Sequence, residues 1–164
     1  MSEQYELRPT TPEDRDFLLE VYASTRVDEL ALVDWDAEQK LAFLTMQLDA
    51  QERHYRGTYR NATFDVVVME GQRAGRLYVA RWDAEIRIID ISLLPECRGR
   101  GIGTAVLDDL LQEATTASKP VTIHVEHGNR ALGLYERLGF VQTSVLDTHV
   151  LMERRPADQA NTAS

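Results

Sequence analysis

The sequence predicts a mixed α/β domain built on a largely antiparallel sheet, and three observations carry that reading. The hydrophobic period changes near Thr63 from the three-and-four spacing of helices to strand-like runs. Three strand patterns then follow one another across tight turns, as in a meander. After them come a strand, a helix and a further strand, the succession that sets parallel neighbours inside a mixed sheet. With 164 residues, 43% hydrophobic and 27% charged, the chain has the length and composition of one ordinary domain.

Residues 5–8 read as a short first strand. Thr11, Pro12, Glu13 and Asp14 supply an N-cap, a proline at the first helical position and acids in the first turn. A helix therefore runs from there to about Thr25, with Phe17, Leu18, Val21 and Tyr22 inward. Leu41, Leu44, Leu48 and Tyr55 recur at helical steps and predict a second helix over 37–55. Between the two, 28–36 with Trp35 is apolar but aperiodic, a loop or a broken helix. Strands follow at 64–69, 74–82 and 85–94, turning at Gly71 and at Asp83-Ala84. Ile102, Val106, Leu107, Leu110, Leu111 and Ala114 form one face of a helix that Ser118-Lys119-Pro120 stops. A strand at 121–126, a helix at 129–138 ended by Gly139, and strands at 140–147 and 148–153 complete the order βααβββαβαββ. Residues 1–155 make a single domain, and the polar stretch 156–164 reads as a disordered tail.

Eighteen Lys and Arg against 27 Asp and Glu give a net charge of −9, so no general field draws in a phosphate backbone, and nucleic acid is excluded as a general partner. The single cysteine, Cys97, makes no internal disulfide, and no Cys and His set has zinc spacing, so no metal is expected. No secretory signal pattern and no long apolar run is present, which predicts a cytoplasmic protein without a membrane partner. An anion bound by such a molecule needs a local device.

That device is the stretch 94–104, Leu94-Pro95-Glu96-Cys97-Arg98-Gly99-Arg100-Gly101-Ile102-Gly103-Thr104, between a strand and a helix. Alternate glycines let the backbone turn tightly, the helix start offers unpaired N–H groups, and Arg98 and Arg100 add positive charge. A P-loop is excluded because no Gly-Lys-Ser/Thr follows. The G-x-G-x-G spacing also departs from the G-x-G-x-x-G of dinucleotide sites.

These residues resemble the GNAT family of N-acetyltransferases. Arg98-Gly99-Arg100-Gly101-Ile102-Gly103 matches that family's (Q/R)-x-x-G-x-(G/A) pyrophosphate loop, and 129–140, ending Leu134-Tyr135-Glu136-Arg137-Leu138-Gly139-Phe140, resembles its L-Y-x-x-x-G-F helix. The resemblance spans about 5–155. It implies the GNAT-like acyl-CoA N-acyltransferase fold and transfer of an acetyl group from acetyl-CoA, as co-substrate, to an unidentified amine acceptor in a ternary complex. A non-catalytic acyl-CoA sensor of the same fold is the alternative.

The resemblance further implies that the backbone of Arg98, Gly99, Arg100, Gly101, Ile102, Gly103 and Thr104 holds the pyrophosphate. Leu93 and Leu94 would pair with the pantetheine arm across a gap before 121–126 and place an amide at the thioester carbonyl. Tyr135 falls where the family keeps a general acid, and Asn129 caps the helix, contacts the coenzyme, or both. The general base is open between His124, on the polar face of its strand with Thr122 and Glu126, and Asp90; the aligned position of another family base holds Arg87. Cys97 has no convincing base beside it and reads as structural. The basic, aromatic run Arg53, His54, Tyr55, Arg56, Tyr59 and Arg60 reads as a solvated helix end, or else borders the region that shapes the acceptor pocket in this family. The acidic surface favours a cationic acceptor, and the protein is expected as a monomer or homodimer.

Overall fold

The computed structural model describes residues 4–156. Seven strands, β1 (Glu6–Pro9), β2 (Thr63–Met69), β3 (Gln72–Arg81), β4 (Ile86–Leu93), β5 (Val121–Glu126), β6 (Val141–Val145) and β7 (His149–Arg154), form one sheet. Their spatial order is β1-β2-β3-β4-β5-β7-β6. Every neighbouring pair is antiparallel except β4 with β5. The mixed α/β fold and the meander are as the periodicity predicts.

The helices are α1 (Arg15–Ser24), α2 (Val27–Leu30), α3 (Ala37–Thr58), α4 (Ile102–Thr116) and α5 (Leu132–Arg137). A 3-10 turn over Pro12–Asp14 leads into α1, and the Thr11 amide donates to the Asp14 carboxylate at 2.8 Å. Asp36 caps α3, accepting from the Gln39 amide at 2.8 Å. Phe17, Leu18, Val21 and Tyr22 are buried as expected. Leu41 is not: it is 53% exposed although Leu44 and Leu48 are buried. Periodicity decides which side chains share a stripe but not how wide a stripe is covered; near Leu41 it is Phe43 that packs, edge-on to Trp35 at 5.2 Å.

Three further boundaries move. The segment 28–36 contributes the single-turn α2. Residues 129–131 form a turn rather than helix, because the Asn129 side chain accepts from the Ala131 amide at 2.7 Å and its carbonyl from Leu132 at 3.2 Å. The strand expected at 140–147 is confined to β6, since the Leu146 amide already closes the β6–β7 hairpin onto the His149 carbonyl at 2.7 Å. Pro156 is buried, and the rest of the expected tail, 157–164, lies outside the described residues.

Side chains along β3 alternate between faces. Arg76 and Tyr78 stand on the face covered by α3, where they bond Gln51 and Glu52. Leu93 stands on the other face, beneath the start of α4 at Gly103. Both faces are therefore packed, and residues 74–80 of β3 are buried throughout. No helix among the described residues is long and apolar enough to cross a membrane.

Candidate active site

The site begins where β4 and β5 part. Their register holds for three residues, Ile86 with Val121 to Ile88 with Ile123, and then stops. One residue further, a bulge enters β4: Tyr78 faces Asp90 while Val79 faces Ile88, leaving Ile89 unpaired with β3. A bulge bends its strand and raises its twist, which carries the C-terminal half of β4 away from β5. The gap expected between these strands is present.

Beyond the bulge, the ladder to β3 decides which amides face the gap. The Leu94 N–H donates to the Ala74 carbonyl at 2.8 Å, so the opposed pair Gly75 and Leu93 is of the type that exchanges no bonds. Backbone groups of Ile91 and Leu93 then point toward the gap. This corrects the expectation for Leu94, whose amide is committed to β3. It also adds Ile91, which motif matching alone did not single out. Gly75 explains the close approach: a Cβ there would lie 2.9 Å from the Leu93 Cα and inside contact with the Ser92 carbonyl.

At the head of α4, Gly99 and Gly101 adopt φ of 73° and 83°, left-handed values that favour glycine. Gly101 is the N-cap, no side chain caps α4, and no acid lies in its first turn. The first amides of the helix, at Ile102, Gly103 and Thr104, thus remain available to an anion, and a Cβ on Gly99 would meet nothing within 4 Å. The two arginines are engaged. Arg98 donates from Nε to the Leu93 carbonyl at 3.1 Å, and Arg100 pairs with Glu70 at 3.1 Å on the surface. Burial, and then the nearby Arg130, push the Arg98 guanidinium below the ordinary arginine range. Arg130 is a third cation at this end, recognisable in sequence only as the neighbour of Asn129. The cradle of amides and arginines fits a pyrophosphate.

A cleft of about 630 Å³ opens on the α3 side of the split strands. Asp90, His124, Asn129 and Tyr135 all line it, so the fold brings together four of the residues named from sequence. Tyr135 is 5% exposed, its ring edge-on to Phe140 at 5.6 Å. Its hydroxyl has no hydrogen-bond partner among the described residues. Burial, and secondarily the Asp90 charge, push it up to about 12, which keeps it protonated at neutral pH. His124, across the cleft on β5, is moved the other way: burial, then Arg87 and His149, lower it from 6.5 and keep the imidazole neutral. Asp90 is held by Arg76, Nε to Oδ1 at 3.2 Å and Nη2 to Oδ2 at 2.9 Å, and Ser92 donates to Oδ1 at 2.7 Å. Arg87 bonds Thr122 at 2.7 Å and Glu85 at 3.3 Å, and Thr122 also donates to Glu85. Cys97 is buried beside the loop, and its thiol is raised by burial and by Glu96, away from nucleophilic character.

The sequence model of the acetyltransferase (GNAT) family matches residues 25–140. The chain belongs to the GNAT family. Solved members share its fold at low identity. The PaiA N-acetyltransferase of Thermoplasma acidophilum, solved with coenzyme A, is 16% identical over 92% of this chain and 98% of its own, with a TM-score of 0.65. An acetyltransferase from Thermus thermophilus is 16% identical over 93% and 97%, with a TM-score of 0.67. The ribosomal-protein-S18-alanine N-acetyltransferase of Escherichia coli is 15% identical over 92% and 93%, with a TM-score of 0.60. At the level of this GNAT family, the architecture is that of an acyl-CoA-dependent N-acyltransferase.

Proposed function

We propose that this GNAT protein transfers an acetyl group from acetyl-CoA to a primary amine by direct attack in a ternary complex. The observation that carries the reading is the parting of β4 from β5 after Ile88, which opens the Ile91 and Leu93 backbone toward a cleft containing Tyr135 and His124. The amides of 98–104 would hold the pyrophosphate, and the pantetheine arm would add to the free edge of β4.

When bound, acetyl-CoA supplies a thioester whose carbonyl carbon accepts the amine nitrogen and whose carbon–sulfur bond breaks. The Leu93 amide donates to the carbonyl oxygen as charge grows there. Neutral His124 accepts the proton that the amine loses on forming the amide bond, directly or through one water. Tyr135 donates its phenolic proton to the departing sulfur and is reprotonated from solvent. Asp90, paired with Arg76 at 2.9 Å, helps to hold the Tyr135 phenol in its protonated form until the sulfur departs. Asn129 keeps its side-chain oxygen on the Ala131 amide and leaves its NH2 for a ligand.

Thermal denaturation with acetyl-CoA tests the binding half. Acetyl-CoA should raise the Tm of the wild type, and Gly101→Glu should fold but show no shift. Absence of a wild-type shift would refute the proposal. Release of free thiol with amines tests turnover, and binding without release would identify the sensor alternative.

A further inference from the structure

We propose that two copies of this chain associate across a two-fold axis through the outward face of α3, with the two helices antiparallel. This face is separate from the cleft, so the inference does not depend on the transfer chemistry.

Leu41 is 53% exposed and Met46 is 60% exposed, and Ala42 and Thr45 share the same outward face. Exposed apolar side chains alone would be ordinary, and a covered patch needs a surface that can accept a neighbour. Ala42 and Thr45 are small enough to let a second helix approach to about 8 Å between axes, while Leu41 and Met46 fill the space on either side. Thr45 Oγ1 already donates to the Leu41 carbonyl at 2.8 Å, so covering it strands no hydroxyl.

The order of the charges names the partner. Glu38 and Arg53 stand at opposite ends of this face, about 22 Å apart along the helix axis. Neither makes a hydrogen bond or ion pair with another described residue. Turned end for end about an axis between Thr45 and Met46, the face maps onto itself. Glu38 then meets the partner's Arg53, Ala42 meets the partner's Asp49, and Thr45 meets the partner's Met46. A self-complementary order of this kind is what a two-fold contact requires, and the opposite charges close the apolar patch at both ends. Asp49 is already paired with Arg15 at 2.6 Å, so the four charged groups named on this face balance. Two molecules that each carry −9 need such a locally balanced surface in order to meet. The contact is one helix pair, smaller than a standard interface, and the dimer is accordingly weak, with a Kd on the order of tens of micromolar.

Sedimentation velocity of the full chain from about 1 to 500 µM tests this, and the wild type should pass from monomer to dimer across that range. Glu38→Arg and Arg53→Glu each set like charges against one another at both ends and should raise the Kd at least about tenfold. An equimolar mixture of these two variants should recover the wild-type Kd, because each end of the mixed pair again joins opposite charges. Met46→Glu should prevent association alone and in every mixture. All of these positions are exposed, and circular dichroism verifies that each variant is folded. A wild type that stays monomeric, a dimer indifferent to the substitutions, or charge variants that fail to complement one another would overturn the inference, and each would leave the acetyltransferase reading untouched.

Discussion

Arg76 on β3 and Asp90 on β4 face one another through two hydrogen bonds, at 3.2 and 2.9 Å, one residue past the bulge that opens the cleft. Arg76 is 1% exposed and also donates to Gln51 at 2.7 Å and to Glu52 at 3.4 Å, both on α3. One guanidinium therefore ties α3 to β4, the strand whose Leu93 backbone faces the gap. Removing it leaves carboxylates without their counter-charge, so Arg76→Ala should cost about 3–5 kcal/mol in chemical denaturation. Asp90→Asn should cost less, because Glu52 still neutralises the arginine. Equal stability of Arg76→Ala and wild type would show that the pair does not secure α3.

Gly75 carries a steric prediction. A methyl there meets backbone of Ser92 and Leu93, which cannot swing aside like a side chain. Gly75→Ala should destabilise by about 1–3 kcal/mol and raise the KM for acetyl-CoA, as Leu93 is displaced. Gly57→Ala, in α3 with nothing within 4 Å of its would-be Cβ, should be neutral or stabilising by up to about 1 kcal/mol. Urea denaturation of both variants separates the steric effect from a general glycine effect.

Asp14 governs an acid-sensitive part of the fold. It is 1% exposed, and Arg8 at 2.8 Å, with the Thr11 amide and Arg73, holds its carboxyl well below the ordinary 3.8 despite burial. A lowered folded value means that its stabilisation is complete above 3.8 and declines as pH falls below it. Asp14→Asn should lose about 1–3 kcal/mol at neutral pH, and the gap to wild type should narrow in acid. Parallel stability curves from neutral to acid pH would contradict this.

The catalytic assignments separate by pH and by substitution. With His124 lowered from 6.5, kcat should fall only as pH drops through a value below 6.5, and His124→Gln should abolish that limb. Tyr135→Phe should lower kcat by about 10²-fold or more with coenzyme A affinity unchanged. Single-turnover kinetics across the pH range read both, and a Tyr135→Phe variant at full rate would remove the acid role.

The elements were legible where apolar spacing and punctuation agreed, as in α4, with its buried face and the Ser118-Lys119-Pro120 stop. Leu41 was not, because exposure depends on what lies opposite. Asn129 was ambiguous because one side chain can cap a helix or close a turn, and the Ala131 amide decides for the turn. In the site, the glycine loop could be read from adjacent residues alone. The committed amide of Leu94, the bulge at Ile89 and the Arg76–Asp90 pair all depend on strand register, which joins residues far apart in the chain.

The account turns on amine-dependent acyl transfer, and one assay addresses it most directly: mixing protein and acetyl-CoA with a panel of primary amines and measuring free thiol and N-acetylated amine together. The account predicts equal amounts of both, and no thiol without the amine. Thiol without acetylated amine, or neither product from a protein that binds acetyl-CoA, would contradict it.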